Sequence, residues 1–225
     1  MGLFHRKEKK GNSMFLYSEG ELNQYEQYIM EQFGEYQHVF HEVVSPDIHL
    51  DIIIVPPTEK NNYYQLITMG MGAYPMNVPE ELKNENLERA ELVLYLPPTW
   101  NISSAKEEDY WPIRQLKTIA RLPIYNHTWL GYGHTISSDE ENSCYASNTK
   151  FCSMMLVTAL NRDNQPLDLK MDHLGKINFY QLFPLYPEEL EYKMAHDADS
   201  LLDLFDEEAL LGVIDNMRKN FVLNR

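Results

Sequence analysis

The segment 49–55, HLDIIIV, restricts the fold more than any other part of the chain, because it ends in four consecutive β-branched aliphatic residues. A strand with one exposed face alternates apolar and polar residues, whereas a continuous apolar run predicts a strand covered on both faces. Pro56 and Pro57 end this strand, because proline cannot donate a backbone hydrogen bond to its neighbour. The chain is therefore predicted to build a sheet that other elements cover on both sides.

Two helices are predicted, over 19–33 and over 109–121, because apolar residues recur in both at helical intervals. Pro112 fits the first turn of the second helix, and Pro123 is expected to end it. Each helix follows a capping box, in which a serine and a glutamate three residues later satisfy backbone N–H groups. These pairs are Ser18 with Glu21 and Ser104 with Glu107.

The rest of the chain alternates between short apolar segments and turns, and it ends in an acidic helical part. Residues 131–148 are predicted as a loop, and acidic amphipathic helices are predicted from about 187, the last over 207–220. Six segments are predicted as strands: 39–44, 48–55, 63–69, 91–96, 151–160 and 176–183. This order predicts a mobile basic tail at 1–14 and one α+β domain over 15–225, with a mixed or antiparallel sheet packed by several helices.

Charge restricts the class of partner. The chain carries 19 Lys and Arg against 34 Asp and Glu, a formal net charge of −15. This balance argues against a nucleic-acid partner, because phosphate contacts need Lys and Arg, and it indicates that a charged partner would be basic. Nine acidic residues fall in 187–211, where Lys193 is the only Lys or Arg. They form either a solvated helix face or a docking surface in which Glu188, Glu191 and Asp197 contact the partner.

No motif in the sequence requires an enzyme. The chain has neither a phosphate-binding P-loop nor a Gly-x-Ser-x-Gly nucleophile motif, and its paired carboxylates precede predicted helices, where they stabilise the helix start. Its longest strongly apolar run is far short of the roughly 20 residues that cross a bilayer. Cys144 and Cys152 are too few for a disulfide scaffold or a zinc site. We expect a cytoplasmic protein with no catalytic residue, no cofactor and no membrane partner.

A group of histidines leaves one alternative open. His49 and Asp51 lie two apart on a predicted strand and therefore face the same side, as metal ligands would. His38 and His41 lie nearby, but no dedicated metal-ligand spacing is present, so ordinary structural roles are favoured. The alternative function is a small enzyme or metal protein that uses His49, Asp51 and His134.

Three ring-bearing side chains, Trp129, Tyr132 and His134, stand in a glycine-punctuated segment that follows the second predicted helix. Neither helical nor strand periodicity accounts for them. Aromatic side chains beside flexible backbone often anchor partners, so we predict that these three contact a partner. The equally open alternative is that Trp129 packs in the core. Trp100 and Trp111, which flank a strand-to-helix connection, are both predicted to be largely buried.

Several segments, in one order along about 15–205, resemble the suppressor of fused-like domain. They are HLDI at 49–52, VPPT at 55–58, LITMGMGAYPM at 66–76, RAEL at 89–92, LPPTW at 96–100, GHTI at 133–136 and FYQLFPL at 179–185. Beside this resemblance, Gly70 and Gly72 permit a sharp turn after a buried strand. Arg89 is expected to hold that turn through an ion pair with Glu91. These residues, with His49, Asp51 and Trp100, are interpreted as scaffold.

The resemblance implies a non-enzymatic binding protein with a protein partner. Eukaryotic members bind Gli-type transcription factors in Hedgehog signalling by clamping a peptide between two lobes, near the segment that matches 129–134 here. Bacterial members, which this chain resembles more, are proposed immunity proteins that neutralise toxins. The chain leaves no room for the second lobe, and Gly133 stands where eukaryotic members carry an acidic residue. We expect an immunity protein against a basic toxin domain, with a regulatory adaptor for another protein as an alternative.

Overall fold

The computed structural model describes residues 14–42 and 47–223. Nearly all of the predicted basic tail at 1–14, and the end of the predicted strand 39–44, lie outside the described residues. Within them, the chain forms one mixed sheet with helices packed on both of its faces. This architecture confirms the predicted α+β class.

Eight strands of the described chain form the sheet, in the order β1-β2-β3-β4-β8-β6-β5, with β7 paired to the first residues of β8. The strands are β1 His38–Phe40, β2 Asp51–Val55, β3 Tyr64–Met69, β4 Ala90–Leu96, β5 Thr135–Ser137, β6 Ser153–Thr158, β7 Asp168–Met171 and β8 Gly175–Leu185. Neighbouring strands are antiparallel except β4 and β8, which pair in parallel over 90–93 of β4. Beyond that point the C-terminal segment continues the pairing, and the Ile214 N–H donates to the Tyr95 carbonyl at 3.0 Å.

Five α-helices of the described chain pack on this sheet. They are α1 Glu19–Gln32, α2 Glu107–Asn126, α3 Pro187–Ala195, α4 Ala198–Leu202 and α5 Glu207–Leu210. The capping box predicted for α1 is confirmed: the Ser18 N–H donates to the Glu21 carboxylate at 2.7 Å, and the Glu21 N–H donates to the Ser18 hydroxyl at 3.3 Å. Reciprocal capping of this kind fixes the first residue of the helix.

The two faces of the sheet are covered in different ways. On one face α2 packs against the central strands through Trp111, Leu116 and Ile119, all fully buried. The other face has two separate covers. Tyr25 and Ile29 of α1 pack over β2, β3 and β4, whereas α3, α4 and the C-terminal segment pack over β6 and the end of β8. The strip of sheet between these two covers carries no described helix.

The start and end of α2 differ from the prediction. Its N-cap is Lys106, and Ser104 accepts only from the Lys106 N–H, so the predicted second capping box is wrong. Pro112 and Pro123 both lie inside the helix. Pro112 leaves the Glu108 carbonyl without its helical donor, and the side-chain amide of Asn148 supplies one at 2.9 Å. A tertiary contact therefore replaces the hydrogen bond that the local sequence removes.

Other elements also correct the sequence interpretation. The predicted loop 131–148 contains β5, and β7 was not predicted. The last helix covers only Glu207–Leu210 of the predicted 207–220, because Gly212 has a φ of 70° and the chain then pairs with β4.

The two tryptophans predicted to be largely buried differ. Trp111 is fully buried as predicted, whereas Trp100 is only half-buried and donates its indole N–H to the Asp109 carbonyl at 2.8 Å.

Candidate functional site

Three of the predicted contact residues meet at one surface groove. Tyr132 and His134, which precede β5, lie against Asp197 in the turn between α3 and α4. We call this surface the His134 groove, and its volume is about 370 Å³. Its lining residues are Tyr132, Gly133, His134, Lys193, Met194, His196, Asp197, Ala198 and Asp199. The fold thus joins the aromatic segment to the acidic segment, which the sequence offered as two separate candidates.

Backbone hydrogen bonds to β6 hold the aromatic side of the groove. The Gly133 N–H donates to the Leu156 carbonyl at 2.8 Å, and the Leu156 N–H donates to the His134 carbonyl at 2.8 Å. Gly133 has a φ of 76°, and a Cβ there would lie 3.4 Å from the Cβ of Ala198. A side chain at this position would therefore meet α4 in a backbone conformation that favours glycine.

A tight turn between α3 and α4 forms the opposite side of the groove. The Asp197 carboxylate accepts from the Ser200 N–H at 2.7 Å and so caps α4. This bond lowers the pKa of Asp197, so the residue is both a structural cap and an exposed negative charge. The His196 ring stacks on Tyr192 with 4.1 Å between ring centroids.

The electrostatics of the groove favour a neutral histidine beside a protonated tyrosine. The Tyr132 hydroxyl donates to the Asp199 carboxylate. Burial, followed by that bond, raises the pKa of Tyr132 to about 12, so the hydroxyl keeps its proton at neutral pH. Burial and the nearby Lys193 charge lower the pKa of His134. The groove therefore presents hydrogen-bonding groups and carboxylates without an activated nucleophile.

Trp129 lies behind the groove. It is half-buried, and its ring packs edge-on against His134 with 4.4 Å between centroids. It also packs against the α2-side core, and a Cβ at Gly131 would lie 2.5 Å from its ring. This placement favours a supporting role, in which Trp129 orients His134.

The acidic segment 187–211 divides into structural and exposed carboxylates. Glu188 is half-buried and accepts from the Asn220 side-chain amide at 2.8 Å, whereas Glu191 is exposed on α3. Glu189 is fully buried and pairs with Arg218 at 2.7 Å. This segment is therefore not one uniform solvated face. Of the predicted contacts in it, Asp197 lines the His134 groove, and Glu188 and Glu191 lie on the preceding helix.

Sequence reasoning missed Lys193, Met194 and Asp199, which also line the groove. Met194 is 67% exposed, so a large apolar side chain of α3 stands at the surface beside the groove. Helical spacing offered one signal. Leu190 is buried, and Met194, four residues later on the same face of α3, lies outside the core.

The glycine turn after β3 is a second, fully internal polar site. The buried Glu91 carboxylate accepts from the Gly70 N–H at 2.9 Å and the Gly72 N–H at 3.0 Å. It also accepts from the hydroxyls of Tyr17 at 2.7 Å and Thr68 at 2.6 Å. Burial raises the pKa of Glu91, and these four hydrogen bonds oppose that rise. We call residues 68–73 with Glu91 the glycine turn.

Arg89 holds the same turn from its other end. Its guanidinium donates to the Gly72 carbonyl at 2.7 Å and to the Ala73 carbonyl at 2.8 Å. The predicted Arg89–Glu91 ion pair is wrong for the described structure, because each side chain binds turn backbone instead of the other. Gly70 is required here: its φ is 123°, and a Cβ would lie 1.9 Å from the His49 carbonyl oxygen.

The alternative metal site does not assemble from its three predicted residues. Asp51 pairs with the His41 ring at 2.9 Å and with the His49 ring at 3.4 Å. His134 lies beside β5, and four strands of the sheet separate β5 from β2. Within 14–42 and 47–223, no group of three or more His, Cys, Asp or Glu side chains is arranged to hold a metal ion.

None of the helices in the described part of the chain is both long enough and apolar enough to cross a membrane.

Comparisons with known proteins connect this fold to one family. The sequence profile described as suppressor of fused protein matches residues 46–219. An uncharacterized protein of Ureaplasma parvum serovar 3 is 28% identical over 198 residues, which cover 87% of this chain and 92% of that protein.

Solved structures show the same fold at low sequence identity. A suppressor of fused homolog from Neisseria gonorrhoeae superposes with a TM-score of 0.59 at 15% identity, covering 88% of this chain and 95% of that one. A chain of the Sufu–Fu complex gives 0.61 at 15% identity, covering 94% and 95%. Drosophila Suppressor of Fused gives 0.55 at 14% identity, covering 90% of this chain and 50% of that chain.

Proposed function

This chain belongs to the suppressor of fused family, and we propose that it is a non-enzymatic protein-binding domain that neutralises a basic toxin as a bacterial immunity protein. The observation that carries the proposal is the convergence of Tyr132, His134 and Asp197 in the His134 groove. A similar solved structure is a complex of Sufu with Fu, which supports a protein as the partner here too.

The exposed residues of the groove suit a protein interface. Tyr132 is 44% exposed and Met194 is 67% exposed, so two large side chains stand at the surface with apolar area to bury. Tyrosine combines an apolar ring with a polar hydroxyl, and methionine adapts to irregular partner surfaces. Tyrosine is among the residues that most often supply the binding energy of an interface, and methionine is enriched at interfaces.

Charge supports a basic partner. Asp197 and Asp199 line the groove against one lysine, Lys193, and Glu191 lies exposed on the adjoining helix. The whole chain carries a formal net charge of −15. An excess of negative charge attracts a basic protein before contact and disfavours acidic competitors. As part of the same proposal we place the protein in the cytoplasm, where a toxin acting inside the cell would be intercepted.

Co-expression with the product of the neighbouring gene tests the proposal. We expect the chain to rescue growth from that product's toxicity and to co-purify with it. Met194→Ala should weaken the complex, and Met30→Ala, a methionine 49% exposed on α1, is the matched control. Binding without rescue would contradict the immunity role alone. If Met194→Ala left binding unchanged, the partner would not bind at the His134 groove.

A further inference from the structure

A second and larger groove crosses the strip of sheet that the helices leave uncovered. It has a volume of about 740 Å³ and lies between the end of α1, at Phe33, and the α4–α5 region, at Leu202 and Leu211. We call it the sheet groove, and its floor is formed by inward-facing residues of four neighbouring strands. These are Gln65, Tyr95, Val157, Gln181 and Phe183.

The floor is polar where a covered sheet would be aliphatic. Gln65 is 4% exposed and lies directly opposite Tyr95, which is 7% exposed, across β3 and β4. Gln181 is 7% exposed and lies opposite Val157 across β8 and β6. Buried glutamine side chains are costly unless their polar atoms find partners. Their position in the gap between two helical covers therefore calls for an explanation.

Each glutamine is held in one orientation. The side-chain N–H of Gln65 donates to the Phe33 carbonyl at 3.1 Å, and that of Gln181 donates to the Leu211 carbonyl at 2.9 Å. Because a backbone carbonyl can only accept a hydrogen bond, the amide nitrogen must face it in both cases. The amide oxygens are thereby fixed on the other side of each group.

These oxygens have no protein partner. Within 14–42 and 47–223, no donor reaches Oε1 of Gln65 or of Gln181, and the Tyr95 hydroxyl also makes no hydrogen bond. None of these three atoms is among the fully enclosed unpaired side-chain atoms of the described chain, so each keeps a small solvent contact, and all three residues line the groove. The floor therefore offers fixed acceptors to a ligand that supplies donors.

We propose that the sheet groove binds the guanidinium group of an arginine side chain from the basic partner, an inference that rests on the proposed function. A guanidinium carries five N–H donors in one plane and no acceptor, which matches two fixed amide oxygens and a tyrosine hydroxyl. Tyr63, which is half-buried and packs on Tyr95 with 4.9 Å between ring centroids, lines the same groove and offers an aromatic ring to a cation.

Carboxylates lie along the surface that connects the His134 groove with the sheet groove. Tyr132 lines both grooves, and the carboxylates of Asp197, Asp199 and Asp203 lie close enough to raise its pKa. Glu207 lines the sheet groove on the same side. A basic segment seated across Tyr132 would therefore find carboxylates along its path, and one arginine could enter the sheet groove.

Arginine analogues test this assignment on the full chain without the partner. The probes are Nα-acetyl-arginine methylamide and its lysine counterpart, with binding followed through backbone amide chemical shifts. We expect the arginine compound to shift residues of the sheet groove and to bind about tenfold more tightly than the lysine compound. Tyr95→Phe should weaken binding of the arginine compound severalfold, because that change removes only a hydroxyl without a protein partner. The matched control is Tyr64→Phe, which changes a tyrosine of β3 that packs on the α2 side of the sheet.

Arg162, the one Lys or Arg among the described residues that line the groove, provides the opposite test. Arg162→Gln should tighten arginine binding by removing a like charge, and weaker binding would overturn the proposal. Equal affinity for the two probes, or shifts confined to other surfaces, would also overturn it. The proposed function is judged separately by co-purification. A partner that binds wild type and Tyr95→Phe equally would leave that function standing and remove the arginine site.

Discussion

The glycine turn and the His134 groove each include a segment that carries the family resemblance, yet they use polar groups in opposite ways. In the glycine turn, the fully buried Glu91 carboxylate accepts four hydrogen bonds, two of them from the backbone of Gly70 and Gly72. In the His134 groove, Asp197, Asp199 and much of Tyr132 remain at the surface. The polar groups of the glycine turn bind one another in the interior, whereas those of the His134 groove lie where a partner could reach them.

This difference separates scaffold from contact surface on physical grounds. A buried carboxylate is tolerated only when hydrogen bonds replace its lost solvation, so each donor around Glu91 serves stability. Exposed carboxylates contribute little to folding through their charge and remain available to another molecule, although Asp197 also caps α4. Substitutions in the glycine turn should therefore lower mainly the free energy of unfolding, and substitutions in the His134 groove should weaken mainly the binding of the partner.

The largest effect is expected at Glu91. Glu91→Ala leaves two hydroxyls and two backbone N–H groups without their acceptor in a closed interior, so unfolding free energy should fall by at least about 3 kcal/mol. Urea denaturation measures this loss. Glu85→Ala, an exposed carboxylate at the end of the 3-10 helix Glu80–Glu85, should change stability by less than about 0.5 kcal/mol. Wild-type stability of Glu91→Ala would show that the four hydrogen bonds to Glu91 do not stabilise the fold.

A smaller effect is expected at Trp129, which should contribute both to stability and to partner binding. Its half-buried ring supports His134, so Trp129→Ala should reduce the unfolding free energy by about 2 kcal/mol and weaken partner binding as well. Tyr132→Ala should instead weaken binding by about 1–2 kcal/mol and leave the urea midpoint nearly unchanged. If Trp129→Ala reduced binding alone, Trp129 would be a contact residue, which is one of the two roles that the sequence leaves open for it.

Local sequence patterns predicted the elements whose causes are local. The Ser18–Glu21 capping box fixed α1, and the aliphatic run before Pro56 marked the buried strand β2. The same spacing at Ser104 failed, because α2 begins at Glu107 and tertiary contacts from the 145–148 loop hold its first turns. β7 has the alternating burial of a half-exposed strand, but at four residues it was too short to recognise.

The sites depended on contacts between distant segments. Tyr132, His134 and Asp197 were all proposed as contacts, but nothing local indicates that the α3–α4 turn lies against the start of β5. The parallel pairing of β4 with β8 joins residues nearly ninety positions apart, for example Ala90 with Asn178. The glutamines of the sheet groove become informative only when the gap between two helical covers is known.

Charge at the groove rim should act mainly on association rate. Asp197→Asn removes a charge but keeps an N-cap for α4, and Glu191→Gln removes a second exposed charge. Together they should slow association with a basic partner severalfold at low salt, and the difference should shrink near physiological salt, where the screening length is about 8 Å. Stopped-flow kinetics measures both rates, with Glu81→Gln, in the 3-10 helix Glu80–Glu85 that lines neither groove, as the control. A change confined to the dissociation rate would show that these carboxylates contact the partner directly instead of steering it.

The smallest expected effect is a pH dependence that arises from His134. Burial and Lys193 lower its pKa in the folded chain below the ordinary value near 6.5, so the unfolded chain binds this proton more readily. Stability linked to neutral His134 is therefore complete above about pH 6.5 and is lost as the pH falls through the lowered folded pKa. Because the ring is only half-buried, this loss should stay below about 1 kcal/mol.

Urea unfolding of wild type and His134→Gln between pH 5 and 7.5 isolates the contribution of His134, since the other titrating groups are common to both. Wild type should lose stability relative to His134→Gln on acidification, and a pH-independent difference would show that the imidazole is solvated like an open surface group.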